Sequence, residues 1–593
     1  MTQVKIGDYL FKRLRELGIE SVFGVPGDYE LALLDLVTDN ELKWKGNPNE
    51  LVASYAADGY ARVKGAAAFI TTFGPGELSA YCGMAGQYCE FVPVVHIVGY
   101  PTVAAQRSQA IMHHSLGDGR FDMYENMAKH ITAATTVISN PRTASSEIDR
   151  VLNTMMRESR PVYIGLSVDI AYEMISSAPL DSPITINLPP NDPELEKKVV
   201  NEILSKIEGA SRPIIIVDGG TLLGDHLSTD VNTNHISAGA VRHNVLPQVH
   251  DLVKLTSFPT FVTAMGKSGV NEELSNFGGV YAGAGTYPGV RCQSDFNTGE
   301  FTTAVKEEIT LDFQRFWVKI GEVKFNVSMK YSRQSTASEI ILELIDNDHM
   351  GSISCEEFLR QPHTQTRLSL AGTSIYPSTW LTFINAYTNW QSLSPFFRPG
   401  DIVIGETGTS AFGLCDSKLP KGVMMFNQTV YGSIGYATGS IVGVGQAIKE
   451  SAGQWKRPIL ITGEGSMHLT VQAIADMLRW DLKPIIFVLN NGGYTVERLI
   501  HGKEAFYNEV AIYDYSALAK AFGPAYQSKY YGPIKTCGDL TKLLKGPGFG
   551  DAGCLELIEL VLDTLDAPAS IIKTGAAIDE FNKSKAEKTT LGA

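Results

Sequence analysis

Seven cysteines are scattered over 593 residues without one CxxC spacing. That scarcity excludes a disulfide-stapled scaffold and a cysteine-built zinc site, and it fits a reducing compartment. No run approaches the ~18 consecutive apolar residues of a membrane span. The most apolar local stretch, FVPVVHIVGY (91–100), has the length of a buried strand. At the N-terminus, MTQVKIGDYLFKRLREL mixes charges among apolar residues. It reads as an amphipathic helix and lacks the apolar core of a secretory signal, so a cytoplasmic protein is expected. Positive charge is also in short supply: Lys and Arg total 50 against 64 Asp and Glu, a net charge of −14. That balance argues against nucleic-acid or membrane partners, which are polyanionic.

What is present is an ordinary globular composition, 44% hydrophobic and 19% charged. The length suits about three domains at roughly 100–200 residues each. Short β-branched runs alternate with helical stretches: SVFGV (21–25), VVHIVG (94–99), VYIGL (162–166), PIIIVDG (213–219), TFVTAM (260–265), DIVIGE (401–406), PILITG (458–463) and PIIFVLN (484–490). Several are apolar throughout, as strands covered on both faces should be. The alternation predicts an α/β protein with parallel sheets. Polar or proline-bearing stretches at 176–194 and 354–378 mark boundaries. Three doubly wound domains are therefore expected, at 1–180, 190–355 and 375–575, with a frayed tail at 576–593. No short repeat is visible.

The strongest local signal is PILITGEGSMHLTVQAIADMLRW (458–480) followed by PIIFVLNNGGYTVERLIHG (484–502). One strand runs into Gly463-Glu464-Gly465-Ser466 and a helix; the next ends at Asn490-Asn491. Parallel strands end on the same sheet edge, so Glu464 and Asn491 are expected side by side above a helix N-terminus suited to phosphate. A carboxylate, an amide oxygen and a backbone carbonyl suit Mg²⁺ shared with phosphate oxygens. An ordinary glycine-rich β–α turn explains the GEGS element alone. It does not explain the NN pair that follows after a complete β-α-β.

This pair of motifs resembles the thiamine-diphosphate enzyme family, whose signature runs from GDG to NN. Here Glu464 stands where the family usually has Asp. The resemblance implies thiamine diphosphate and Mg²⁺ as cofactors. It assigns Glu464, Asn491 and the Gly493 carbonyl to the metal, and Gly465, Ser466, Tyr494 and Thr495 to the diphosphate side. NPNELVASYAADGYARVKG (47–65) resembles the family's pyrimidine-binding segment. The resemblance makes Glu50 the carboxyl that protonates the aminopyrimidine ring. In GETGTSAFG (405–413), Thr407 falls beside the substrate and Thr409 beside the diphosphate. In VYGSIGYATG (430–439), Gly432 and Ser433 border the aminopyrimidine, and Ile434 is the wedge that bends the cofactor.

Asp28 in FGVPGDYEL, His113-His114 in MHHSLGDGRFD and Glu497 in GYTVERLIHG resemble the pyruvate decarboxylase branch. There such acids and imidazoles line the substrate site and relay protons. Asp28, Glu50, His113, His114 and Glu497 are thus the expected catalytic residues. Asp28, His114, Thr407, Glu497 and Ile500 are expected at the substrate. The implied reaction converts a 2-keto acid, pyruvate first, to an aldehyde and carbon dioxide through the cofactor's ylide and enamine. An arylpyruvate or indolepyruvate decarboxylase with a wider pocket is the nearer alternative. A catalytically weakened paralogue with a structural or assembly role is the other. The family's site combines two domains across subunits, so a dimer or tetramer is expected. The resemblance covers about 1–180 and 400–510 well and the middle poorly. TLLGDHLSTDVNTNHISAG (221–239) reads as added polar sequence, and 278–301 reads as shortened.

Overall fold

Strands that are apolar on both faces need helices on both faces, and that requirement organises the chain. The computed structural model describes residues 2–184, 191–210, 213–218, 235–239, 246–281, 310–313, 318–327, 390, 392–568, 571–572, 575–576 and 578. The expected boundary at 354–378, most of 221–239 and 278–301, and nearly all of the tail lie outside them. No helix among the described residues is long and apolar enough to cross a membrane. The amphipathic N-terminus forms a helix, Ile6–Glu16, as its pattern predicts.

The first sheet holds β1 (Ser21–Gly24), β2 (Lys43–Gly46), β3 (Ala67–Thr72), β4 (Val94–Tyr100), β5 (Thr135–Ile138) and β6 (Val162–Ser167). All pairs are parallel, in the order β2-β1-β3-β4-β6-β5. A short antiparallel pair, Gln3–Lys5 with Met174–Ser176, closes this unit. The middle sheet holds β7 (Ile214–Asp218), β8 (His235–Gly239), β9 (Thr260–Thr263), β10 (Phe277–Tyr281), β11 (Thr310–Phe313), β12 (Val318–Ile320) and β13 (Val323–Phe325). Its order is β10-β9-β7-β8-β11-β12-β13. Here the purely parallel expectation is corrected: β11, β12 and β13 pair antiparallel. The two-residue connection Gly321-Glu322 between β12 and β13 is a hairpin turn, which permits only antiparallel pairing.

The last sheet holds β14 (Asp401–Gly405), β15 (Met424–Phe426), β16 (Arg457–Gly463), β17 (Ile485–Asn490), β18 (Ser528–Ile534) and β19 (Leu555–Val561). Its order is β15-β14-β16-β17-β19-β18, again all parallel. The first and last sheets therefore share one topology, although no repeat shows in the sequence. In each, the strand order reverses between the first and third strands. Such a reversal opens a crevice at the strands' carboxyl ends.

The equivalent helices α1 (Glu50–Lys64), which follows β2, and α3 (Tyr436–Lys449), which follows β15, pack on each other within the chain. Small residues allow the contact. A Cβ on Gly59 would lie 2.1 Å from the Ser440 carbonyl oxygen, and one on Gly443 would lie 1.7 Å from that of Ala56. Around this crossing a single apolar cluster joins the two outer units, with Tyr55, Tyr60, Ile441 and Val444 buried in it. Charges are buried there too: Arg62 Nε donates to Asp58 at 2.5 Å, and the Tyr436 hydroxyl donates to the same carboxylate. The middle unit is tied to the last by Lys267, which pairs with Glu272 at 2.8 Å and donates to the Ser417 carbonyl at 2.7 Å.

Candidate active site

In the last sheet, the turn after β16 leads into α4 (Glu464–Leu469), and β17 ends at the NN pair, followed by α5 (Thr495–Ile500). Glu464 is buried, and its Oε1 accepts the Gly493 N–H at 2.6 Å. Burial pushes the Glu464 carboxyl above its ordinary range, against the pull of the donated N–H groups. The Asn491 amide can be seated two ways. Amine inward, it donates to the Gly493 carbonyl at 2.9 Å and to Glu464 Oε1 at 3.1 Å, while its oxygen accepts from Thr495 Oγ1 at 2.7 Å. Oxygen inward, three oxygens face one another, an arrangement that a bound cation reconciles. Octahedral Mg²⁺ with bonds of ~2.1 Å sets neighbouring ligand oxygens ~3.0 Å apart, so these residues fit the ion.

Beside this cluster lies a cavity of about 240 Å³. Its floor is Thr407, Gly408, Thr409 and Ser410 after β14, and Gly463 to Ser466 after β16. Ile434 enters from the loop before α3; Tyr494, Val496, Glu497 and Ile500 enter from α5 and its approach. The glycines permit close backbone approach. Gly493 stands at φ +139°, and a Cβ there would lie 2.1 Å from the Asn508 carbonyl oxygen. Beneath the floor, Glu406 is fully buried and accepts the N–H groups of Thr407 at 3.0 Å and Ala437 at 3.2 Å. Its desolvation raises the carboxyl to about 8.

The matching crevice of the first sheet holds a second cluster. Asp28 follows β1, and His113 Nε2 stands 2.6 Å from its Oδ2. His114 Nε2 lies 3.8 Å from Oδ1. The Tyr29 ring stacks on His113 with centroids 4.9 Å apart. The turn Phe73-Gly74-Pro75-Gly76-Glu77 between β3 and α2 (Pro75–Cys89) is the hub of this half. Gly74 abuts the His114 carbonyl, and Gly76 faces Glu50, whose Oε1 would lie 3.3 Å from an added Cβ. Glu50 opens α1, capped by Asn49, whose side chain accepts the Val52 N–H at 2.8 Å.

Comparison with known proteins bears on both halves. Residues 4–121 match the N-terminal, and 404–545 the C-terminal, thiamine pyrophosphate binding domain of thiamine pyrophosphate enzymes. Pyruvate decarboxylase isozyme 3 of Saccharomyces cerevisiae is 38% identical over 97% of this chain and 98% of its own length. The Candida glabrata pyruvate decarboxylase is 38% identical over 98% of this chain and 99% of its own. The Aspergillus fumigatus pyruvate decarboxylase is 39% identical over 98% of each. This chain belongs to the pyruvate decarboxylase family of thiamine-diphosphate enzymes. Thiamine diphosphate with Mg²⁺ is therefore its cofactor, and carboxy-lyase chemistry its reaction class.

In this family member the expected residues fall into two groups. Thr407, Thr409, Ile434, Glu464, Gly465, Ser466, Asn491, Gly493, Tyr494, Thr495, Glu497 and Ile500 all line the cavity. Asp28, Glu50, His113 and His114 do not; they gather about the turn at 73–77 of the first unit. Gly432 and Ser433 stand just outside the lining. Gly432 is held at φ +64° near the Thr407 methyl, and the Ser433 hydroxyl lies 2.5 Å from Tyr55 Oη. The helix that begins at Glu464, inside GEGS, is only six residues long, so its dipole contributes less than a long helix would. Three features escaped the sequence reading. FGPGE occupies the same topological place as GEGS, and its paired glycines at a strand end were the available signal. Glu406 was passed over inside a motif read for its threonines. Ile571, Gly575 and Ile578 line the cavity from beyond the last sheet, where composition marks nothing.

Proposed function

We propose that this protein decarboxylates pyruvate to acetaldehyde, in a site made from the first unit of one copy and the last unit of another. The observation that carries the reading is the pairing of two chemically different half-sites at equivalent crevices. One offers oxygens for a metal–diphosphate and an apolar wedge. The other offers a carboxyl and paired imidazoles. Among the described residues the cavity is lined only by those after 400, which supports drawing the proton-handling half from a second copy. A dimer is then the smallest active unit, and a tetramer a pair of them. The relatives are named for pyruvate, and that substrate is carried over here in preference to arylpyruvates or indolepyruvate. A buried Glu464 within reach of Asn491 and Gly493 disfavours a catalytically idle paralogue. A cytoplasmic location suits the free cysteines.

When bound, thiamine diphosphate supplies the carbon nucleophile and electron sink that loss of carbon dioxide requires. This chain's residues bind, orient and move protons. Glu464, Asn491 and the Gly493 carbonyl would hold the metal, and Thr409, Gly465, Ser466, Tyr494 and Thr495 would bind the diphosphate. Ile434, with Gly432 and Ser433 before it, would press on the bound cofactor as an apolar wedge. Glu50 would hold the proton that its carboxyl shares with the pyrimidine. Asp28, His113, His114 and Glu497 carry protons to and from the substrate carbons, with Thr407 and Ile500 bounding the space for its side chain.

Mixing two inactive variants tests the arrangement. Glu50→Gln and Glu464→Ala chains, unfolded and reassembled together, are expected to recover acetaldehyde release, because each mixed dimer holds one intact site. No recovery in verified mixed dimers would place the site within one chain.

A further inference from the structure

Glu77 is fully buried at the start of α2, yet the proposed mechanism gives it no task. Its Oε1 accepts the Gly74 N–H at 2.8 Å. Its Oε2 accepts two hydroxyls, Tyr163 at 2.7 Å and Tyr81 at 3.0 Å. Three donors on one desolvated carboxylate make a rigid node.

Two arms run from this node to the same residue. The first is the turn: Gly74 stands at φ +79°, and its main chain presses so closely on His114 that a Cβ would lie 2.0 Å from the His114 carbonyl oxygen. The second passes through tyrosines. The Tyr81 hydroxyl shares its single proton between Glu77 and the Tyr124 carbonyl, which lies 2.6 Å away, and the Tyr124 hydroxyl donates to the His114 carbonyl at 3.3 Å. Phe73 packs edge-on against Tyr124 with centroids 4.9 Å apart, which joins the arms. His114 itself sits at φ +66°, a left-handed conformation that a non-glycine residue keeps only when its surroundings hold it.

We propose that Glu77 is a positioning residue that sets the His114 imidazole in the proton-handling half of the site. It touches neither substrate nor cofactor and acts through Gly74 and Tyr124. The inference rests on the reading of His114 as a site residue.

Steady-state kinetics of the cofactor-saturated holoenzyme test it. Glu77→Ala is expected to lower kcat about tenfold or more, since misplacing a reacting group by ~1 Å can cost 10²-fold. KM for pyruvate and the affinity for thiamine diphosphate should stay within about twofold, because neither is held by this node. Glu77→Gln keeps an oxygen for the Gly74 N–H and should recover much of the loss. Tyr124→Phe deletes only the hydroxyl that reaches His114 and should cost kcat about threefold, again at constant KM. If Glu77→Ala does not fold, Tyr124→Phe decides alone. Wild-type kcat in Glu77→Ala, or in Tyr124→Phe, would overturn the inference while an inactive His114→Ala left the site reading standing. Full turnover in His114→Ala would sink both.

Discussion

Glu464 Oε1 accepts the Gly493 N–H at 2.6 Å, so the carboxylate after one strand reaches the loop after its neighbour. The extra methylene relative to aspartate is taken up by this reach. Glu464→Ala is expected to weaken thiamine diphosphate binding by about 100-fold or more, because the diphosphate would lose its bridging cation. Glu464→Asp should retain binding. Titration of cofactor at fixed Mg²⁺ measures both, and unchanged affinity in the alanine variant would place the metal elsewhere.

Glu50 opens α1 and faces the bare Cα of Gly76. Glu50→Gln removes the proton and keeps the shape. Exchange of the thiazolium proton for deuterium is expected to slow about 10²–10⁴-fold while the cofactor stays bound. Exchange at the wild-type rate would take the proton-transfer role away from Glu50.

Substrate width follows from the cavity wall. Val496 and Ile500 lie four residues apart on α5, and Ile571 and Ile578 add branched side chains from beyond the last sheet. Pyruvate should lead and 2-ketobutyrate follow closely, since one methylene is worth only about 1–3 kcal/mol. Phenylpyruvate and indolepyruvate should fall far below. Ile500→Ala, or removal of residues 569–593, should narrow that gap. Specificity constants that favour an arylpyruvate in the wild type would contradict this view of the pocket.

Burial raises the carboxyl groups of Glu30, Glu77 and Asp476 to about 7 and that of Glu406 to about 8. Each lies above its unfolded value, so between about pH 4 and 8 the native chain binds more protons than the unfolded one. The stability these groups contribute is present below that window and lost as pH rises through it. Thermal unfolding of cofactor-free protein should show a lower midpoint at pH 8 than at pH 6, and Glu406→Gln should flatten the difference. A midpoint that climbs with pH would mean these acids are ionised at little cost.

The contact of α1 with α3 depends on bare backbone. Gly443→Ala puts a methyl 1.7 Å from the Ala56 carbonyl oxygen, and neither helix can yield alone. A loss of about 3 kcal/mol is expected, the upper end of overpacking costs. Gly553→Ala, which meets nothing within 4 Å, is the control. Equal stability of the two variants would show that the helices slide apart cheaply.

Much of the fold was legible because its strands are buried on both faces, and continuous apolar runs such as PIIFVLN advertise that burial. The edge strand β2 (KWKG) mixes lysines among its residues and β15 (MMF) is only three residues long; both were passed over, as were β3 and β19. The antiparallel end of the middle sheet escaped because helix–strand alternation says nothing about one short hairpin. GEGS and NN were readable as a site because glycines, acid and amides occupy fixed places about a strand end. FGPGE was not, since its acid is buried and bonds within the protein, and that role has no fixed local pattern.

The sequence by itself determined the chemistry of each half: oxygen ligands after one pair of strands, a carboxyl and imidazoles near another. Those properties belong to residue types and their local spacing. Only the tertiary structure decided that the halves occupy equivalent crevices of two sheets with one topology, because strand order is set by long-range packing and leaves no local pattern. It also decided that the turn held by Glu77 meets His114 and that Ile571, Gly575 and Ile578 line the cavity, since both are contacts between segments far apart in the chain.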